Sequence, residues 1–381
     1  MSIENYKMNK ETTFKDFNLS KDTFKSIEKK GFKVPSEVQL KVIPVILDTK
    51  KDIIAISQTG TGKTGAFGLP LMDLIDERNK TPKAIIMTPT RELALQVSKE
   101  LSTYSTDKKM NILTVYGGSS ISNQIKELKR GVDIVVGTPG RVVDMINRRA
   151  LDLRKVDYFV LDEADEMLNM GFIEDMEFIL SKTNQNKRVF LFSATMPKAI
   201  KELSKKYMKN QEIIEVKRND DNTKLIEQNF YKVKNSNKTD TIIKIIKSNK
   251  NFHGIVFCKT KSEVDSLTKK LRQHYSAECI HGDISQNKRE KTLLNFRKGK
   301  VRVLVATDVA ARGIHVDNLT HIINHSLPQA IETYVHRIGR TGRAGNKGTA
   351  ISLITQNEMR RLTNLEKLTG NKLIKKELAS I

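Results

Sequence analysis

The stretch Ser57-Gln58-Thr59-Gly60-Thr61-Gly62-Lys63-Thr64 limits what this chain can fold into more than any other. An apolar, β-branched run, Ile53-Ile54-Ala55-Ile56, precedes it, and Thr64-Gly65-Ala66-Phe67-Gly68-Leu69 follows as a helix start. Strand, glycine-rich loop and helix in that order read as a P-loop. Such a loop turns backbone N–H groups and the positive end of a helix toward phosphate oxygens. Thr59, Gly60, Thr61 and Gly62 would line the cradle, and Lys63 would put its charge on the β- and γ-phosphates. The Thr64 hydroxyl can ligate Mg2+. Ser57 stands where the usual pattern has glycine, so the loop alone leaves a Gly/Thr-rich turn as the bland alternative.

A second element narrows the choice. Tyr158-Phe159-Val160-Leu161 runs straight into Asp162-Glu163-Ala164-Asp165. An apolar strand ending in carboxylates puts acids at the C-terminal edge of a sheet, where α/β proteins bind ligands. Asp162 is expected to hold Mg2+ and Glu163 to orient or deprotonate an attacking water. By itself the tetrapeptide could be an acidic helix start. Paired with the P-loop, it makes a nucleotide site.

The chain has 381 residues, enough for two domains, and its 38% hydrophobic and 29% charged content suits a folded soluble protein. No apolar run approaches the length of a membrane span, and Met1-Ser2-Ile3-Glu4-Asn5 lacks a signal-peptide core. Cys258 and Cys279 have neither zinc-knuckle nor CxxC spacing, so they read as reduced cytoplasmic thiols. The net charge is +23, carried as +8 before residue 210 and +15 after it. That excess calls for a polyanionic partner, of which nucleic acid is the commonest. With 6% aromatics and no Trp, base stacking is not the expected mode of binding.

Along the chain, the first 40 or so residues are polar and helix-like. Apolar runs then alternate with helical spacing. Strands are expected at 53–56, 84–87, 112–116, 133–136, 158–161 and 189–192, and again at 228–233, 254–258, 301–305, 321–324 and 349–354. Strands alternating with helices make an α/β fold with parallel sheets covered on both faces. Residues 216–224 are polar throughout and read as a short flexible linker between lobes 1–215 and 225–381.

Asp162-Glu163-Ala164-Asp165 spells the DEAD box, and the chain resembles the DEAD-box ATP-dependent RNA helicases from Phe14 to about Leu373. It looks like a minimal bacterial member with two RecA-like lobes. The resemblance implies that Gln39, closing Gly31-Phe32-Lys33-Val34-Pro35-Ser36-Glu37-Val38-Gln39, reads adenine, and that Phe14 packs on it. It implies RNA backbone contacts from Pro89-Thr90-Arg91, Gly117-Gly118 and Thr138-Pro139-Gly140-Arg141, and in lobe two from Gln286, Arg289 and Thr307. Ser193-Ala194-Thr195 would couple hydrolysis to strand separation through Asp165 and His336. Arg340 and Arg343 of His336-Arg337-Ile338-Gly339-Arg340-Thr341-Gly342-Arg343 would act as arginine fingers beside Lys63 and Glu163. Gly313 and position 315 would meet the nucleotide.

Two positions depart from the family pattern. His315 replaces an Asp expected on the ATP ribose, and Ser326 replaces a second Asp. The implied activity is RNA-dependent ATP hydrolysis with local unwinding of short duplexes or remodelling of RNA–protein complexes, by a cytoplasmic monomer using ATP and Mg2+. The departures keep open an ATP-gated RNA clamp with slow hydrolysis. A DNA helicase would lack the Gln39 and DEAD-box elements. Neither the RNA nor any protein partner is named by the sequence.

Overall fold

The apolar runs become strands because each is short, rich in Ile, Val, Leu and Phe, and bounded by turn-forming residues. A computed structural model describes residues 12–58, 60–75, 79–105, 109–216, 225–311, 316, 319–342, 347–369 and 371–377. The chain divides into two compact units, Met1–Arg218 and Asn219–Ile381, taken separately below. Residues 217–224, which carry most of the expected linker, lie outside the described residues.

Lobe one contains β1 (Asp52–Ile56), β2 (Ala84–Met87), β3 (Ile112–Val115), β4 (Ile134–Gly137), β5 (Tyr158–Asp162), β6 (Arg188–Ser193) and β7 (Gln211–Glu215). These pair in parallel in the order β3-β4-β2-β5-β6-β1-β7. Alternate residues serve opposite faces, as strand geometry requires. Ile53, Ala55, Phe190 and Phe192 enter one core with Phe67 and Leu101, while Ile54 and Leu191 enter another with Met176 and Ile179.

Lobe two contains β8 (Ile226–Lys232), β9 (Gly254–Cys258), β10 (Ala277–Ile280), β11 (Val303–Thr307), β12 (His321–Asn324), β13 (Gly348–Ile354) and β14 (Ile374–Lys376). They too are parallel, in the order β10-β11-β9-β12-β13-β8-β14. Val256 and Val305 pack on one face of this sheet, Ile255 and Leu304 on the other. The two sheets of seven parallel strands with their helices are RecA-like lobes.

Three strands were absent from the expected set: β7, β10 and β14. All three lie at the end of a sheet, paired on one side only. An edge strand needs less apolar surface and is protected by charge. So β7 reads Gln-Glu-Ile-Ile-Glu with Ile213 56% exposed, β14 reads Ile-Lys-Lys, and β10 holds Glu278. No helix among the described residues is long and apolar enough to cross a membrane.

Candidate nucleotide and nucleic-acid site

In parallel strands all C-terminal ends share one edge, so the loops after β1 to β6 are neighbours there. Register fixes which ones touch. Ile56 pairs with Ser193, and Asp162 with Phe192, so the starts of the P-loop, the acidic turn and the Ser-Ala-Thr turn lie side by side.

The P-loop turns on Gly60 and Gly62, whose φ angles of 81° and 92° lie in the left-handed region that favours glycine. A Cβ on Gly62 would also stand 2.9 Å from Gln39 Nε2 and from Ser36 Oγ. Gln39 is fixed at both ends: its Oε1 accepts from Ser36 N at 2.9 Å and its Nε2 donates to the Gly62 carbonyl at 3.1 Å. Each end keeps one further hydrogen-bonding capacity, which a base edge could use. Lys63 opens the helix Lys63–Leu74 and is buried, its Nζ donating to the Ser57 carbonyl at 3.4 Å. Thr61 Oγ1 donates to the Gln58 carbonyl at 2.9 Å, and Thr64 is half-buried on the first helical turn. Thr59 lies outside the described residues.

Asp162 is the last residue of β5 and 3% exposed, and its Oδ1 has no hydrogen-bond partner among the described residues. Burial pushes this carboxyl up to about 6, against the pull of the Lys63 ammonium. A buried carboxylate oxygen without a protein donor can take a ligand from outside the chain. Glu163 beside it holds φ 55° and ψ 52°, a left-handed conformation that costs a non-glycine residue about 1–3 kcal/mol and clusters at functional sites. Asp165 then closes the turn onto the neighbouring strand. Its Oδ2 accepts from Thr195 N and Thr195 Oγ1, both at 2.9 Å, while its own N–H donates to Ser193 Oγ at 3.1 Å.

The loops expected to face RNA follow β2, β3 and β4, the other half of the same edge. Thr90 caps the helix Arg91–Tyr104, its Oγ1 accepting from Leu93 N at 3.3 Å, and Pro89 leads into it. Gly118, at φ 83°, lies against the Arg91 guanidinium, where any side chain would collide with it. Thr138 caps the helix Pro139–Asn147, Gly140 is exposed, and Arg141 Nη1 donates to Gln124 Oε1 at 3.3 Å.

The ring of Phe14, which the resemblance packs on adenine, lies among other aromatics. It is 3% exposed in the core, edge-on to Phe17 at 5.9 Å and stacked with Phe32 at 6.4 Å.

In lobe two, Gln286 opens the helix Gln286–Arg297 and donates to Glu290 at 2.9 Å, and Arg289 Nη2 donates to the Ala310 carbonyl at 2.7 Å. Thr307 ends β11; His336 is half-buried and Arg340 buried on and after the helix Ile331–Ile338. Gly313, His315 and Arg343 lie outside the described residues. Arg337, to which the sequence pattern assigns no role, is held from several sides in the structure. It is 3% exposed, forks onto Asp308 at 2.5 and 2.7 Å, and donates from Nη1 to Asn324 Oδ1 and the Ser326 carbonyl. Its only sequence signal is its place between His336 and Ile338. Ser326, one of the two departures, offers that carbonyl while its buried hydroxyl has no partner among the described residues.

Tandem RecA-like sheets with a P-loop on the first define a two-lobed nucleotide-binding protein. Residues 36–203 match the family model described as DEAD/DEAH box helicase, and residues 237–345 that of the helicase conserved C-terminal domain. The ATP-dependent RNA helicase CshA of Listeria monocytogenes is 48% identical over 363 residues, covering 95% of this chain and 70% of that protein. A probable ATP-dependent RNA helicase of Methanocaldococcus jannaschii is also 48% identical, covering 95% of this chain and 97% of that protein. Among solved structures, S. cerevisiae Dbp5 bound to RNA and ADP BeF3 superposes with a TM-score of 0.88 at 30% identity, covering 96% of each chain. The chain belongs to the DEAD-box family of ATP-dependent RNA helicases, enzymes that hydrolyse ATP.

Proposed function

We propose that this protein is an RNA-dependent ATPase that separates short RNA duplexes or remodels RNA–protein complexes, gripping RNA mainly by its sugar–phosphate backbone. The observation that carries the reading is the division of one sheet edge in lobe one. Phosphate-type loops follow β1, β5 and β6, strand-contact loops follow β2, β3 and β4, and the Asp165–Thr195 bonds tie β5 to β6 between the P-loop and the rest.

In this reading ATP lies on the P-loop, with Gln39 at the base edge and Phe14 behind it. Lys63 and the loop N–H groups neutralise the transferred phosphoryl group, and Glu163 takes a proton from the attacking water. Asp162, with its unpartnered oxygen, and Thr64 fit Mg2+, which when bound neutralises charge on the β- and γ-phosphates. Arg340 and Arg343 complete the site from lobe two, and Gly313 and His315 meet the ribose. Pro89, Thr90, Arg91, Gly118, Thr138, Gly140 and Arg141, with Gln286, Arg289 and Thr307, hold phosphates and sugars, contacts that position a strand without reading its sequence. ATP and RNA together draw the lobes closed about the 216–224 hinge, and hydrolysis releases them. Asp165, Ser193, Thr195 and His336 carry the coupling. Two buried, unpaired thiols suit a reducing cytoplasm, where the protein works as a monomer.

The test is ATP hydrolysis with and without RNA, alongside displacement of a short duplex. RNA-stimulated turnover with ATP-dependent displacement is expected. Slow hydrolysis with tight RNA retention and no displacement would replace the remodeller with a clamp. Hydrolysis indifferent to RNA would remove the reading.

A further inference from the structure

One group of ligand-type side chains in lobe two has no part in the chemistry above. Asp265 lies on the helix Lys261–Leu271, which packs against β10; Cys279 is on β10, and His281 follows its end. One donor atom from each lies within 4.8 Å of the other two. His281 Nε2 is 3.0 Å from Asp265 Oδ1, and the Cys279 thiol points at the same oxygen from 3.9 Å. We propose that Asp265, Cys279 and His281 form a site for a borderline divalent cation of the Zn2+ class, with water as the fourth ligand.

Three observations carry this. First, the donor set mixes one sulfur, one imidazole and one carboxylate, which suits Zn2+ and poorly suits Mg2+ or Ca2+. Second, the spacing fits. Tetrahedral Zn2+ with ligands at about 2.0–2.3 Å separates neighbouring donors by roughly 3.3–3.5 Å, and the observed 3.0 and 3.9 Å straddle that range. Third, His281 is 4% exposed and turns Nε2 toward Asp265 Oδ1, so burial holds its ring with a nitrogen facing the other donors.

Binding would break the S–H bond, form the S–metal bond and release one proton to solvent, with no change of oxidation state. The bound ion would tie the turn after His281, which leads into Gln286, to the helix carrying Asp265.

The experiment is titration of the intact, metal-free chain with Co2+ in excess Mg2+, followed by Zn2+. Expected is one Co2+ per chain with a thiolate-to-cobalt charge-transfer band in the near ultraviolet, abolished by added Zn2+. Excess Mg2+ occupies sites built of oxygen ligands, and those give no thiolate band. Cys279→Ser should lose the band. Asp265→Asn, a near-isosteric change at a side chain 58% exposed, should weaken Co2+ binding at least tenfold with a thermal melt close to that of the wild type. Absence of the band in the wild type overturns the proposal, and so does a band that either variant leaves intact.

Discussion

The two lobes have the same strand order. Numbering each sheet from its own first strand gives 3-4-2-5-6-1-7 twice, and in both the helix after the first strand opens on a lysine, Lys63 in one and Lys238 in the other. What surrounds the two lysines differs. Lys63 follows a loop with two left-handed glycines and lies near an aspartate with an unpartnered oxygen. Lys238 follows a glycine-free 3-10 turn, Asn235–Asn237, and is consumed internally: its Nζ donates to the His325 carbonyl at 2.6 Å and pairs with Glu358 at 3.5 Å. At the end of the fifth strand the contrast repeats. Asp162 closes β5 with one carboxylate oxygen unpartnered among the described residues, whereas Asn324 closes β12 bonded to Ser352 and Arg337. Topology alone therefore makes no phosphate site. A site of this kind needs a glycine loop, a lysine and an open carboxylate oxygen at one sheet edge; an unpartnered buried group alone is not enough, since the Ser326 hydroxyl of lobe two also lacks a partner among the described residues.

The sharpest way to break this comparison is to truncate both lysines. Lys63→Ala should bring ATP hydrolysis to background, because the loop loses its charge on the transferred group. Lys238→Ala should leave turnover per folded molecule near that of the wild type but destabilise lobe two by about 1–3 kcal/mol, because the His325 carbonyl loses its donor while half-buried Glu358 keeps its bonds from Thr355 and Leu327. Steady-state ATPase and denaturant melts of both variants decide it. Equal loss of hydrolysis would mean that the two lysines are not differently employed.

Glu163→Gln tests the other side of the same site. Turnover should fall to near background while ATP and RNA binding persist, so that the complex dissociates more slowly than the wild type in ATP. RNA release at the wild-type rate would remove Glu163 from the role of base.

Acid separates the lobes in another way. All seven histidines lie between residues 253 and 336, so lobe one has none. His321 is stacked on Phe252 at 4.9 Å, and burial depresses its pKa to about 4, with Glu227 opposing. A histidine whose folded pKa lies below the unfolded value of about 6.5 contributes stability above that value and loses it as pH falls toward the folded pKa. Lobe two should lose about 2–3 kcal/mol between pH 6.5 and 4 from this residue, and burial depresses His325 as well. Hydrogen exchange of the intact chain at pH 7 and pH 5 should show faster opening in lobe two, a difference reduced in His321→Gln. Equal acceleration in both lobes would contradict it.

How far the sequence is legible follows the same division. Interior strands such as β2 and β9 are readable to the residue, because burial on both faces demands unbroken apolar runs. The edge strands β7, β10 and β14 are not, since one-sided pairing permits Glu and Lys. In the site, Lys63, Asp162 and Asp165 are legible because glycine spacing and carboxylates at a strand end are rare outside this chemistry. Arg337 and Lys238 are not, because their partners, Asp308 and Glu358, are 29 and 120 residues away and only tertiary contact joins them. Phe14 is legible only through its spacing from the Gly31–Gln39 stretch, since a Phe reads equally as core, and it is 3% exposed.

The smallest effect concerns the link between the turns after β5 and β6, both on the phosphate half of lobe one's edge. Asp165 Oδ2 receives two hydrogen bonds from Thr195, one from its N–H and one from its hydroxyl. Thr195→Val keeps the shape and the backbone bond and deletes only the hydroxyl. A hydrogen bond to a charged group is worth about 1.5–3 kcal/mol, and part of that is retained because Asp165 Oδ1 still accepts from Glu166 N at 3.1 Å. The P-loop, Asp162 and Glu163 are untouched, so ATP hydrolysis should stay within a few fold of the wild type. What should fall, by roughly 10-fold for each 1.4 kcal/mol lost from the coupled state, is the number of duplexes displaced per ATP hydrolysed. Measuring both rates on the same duplex gives that ratio directly. If hydrolysis and displacement fell together, Thr195 would be supporting the nucleotide site itself, and the Asp165–Thr195 bonds would not carry the coupling.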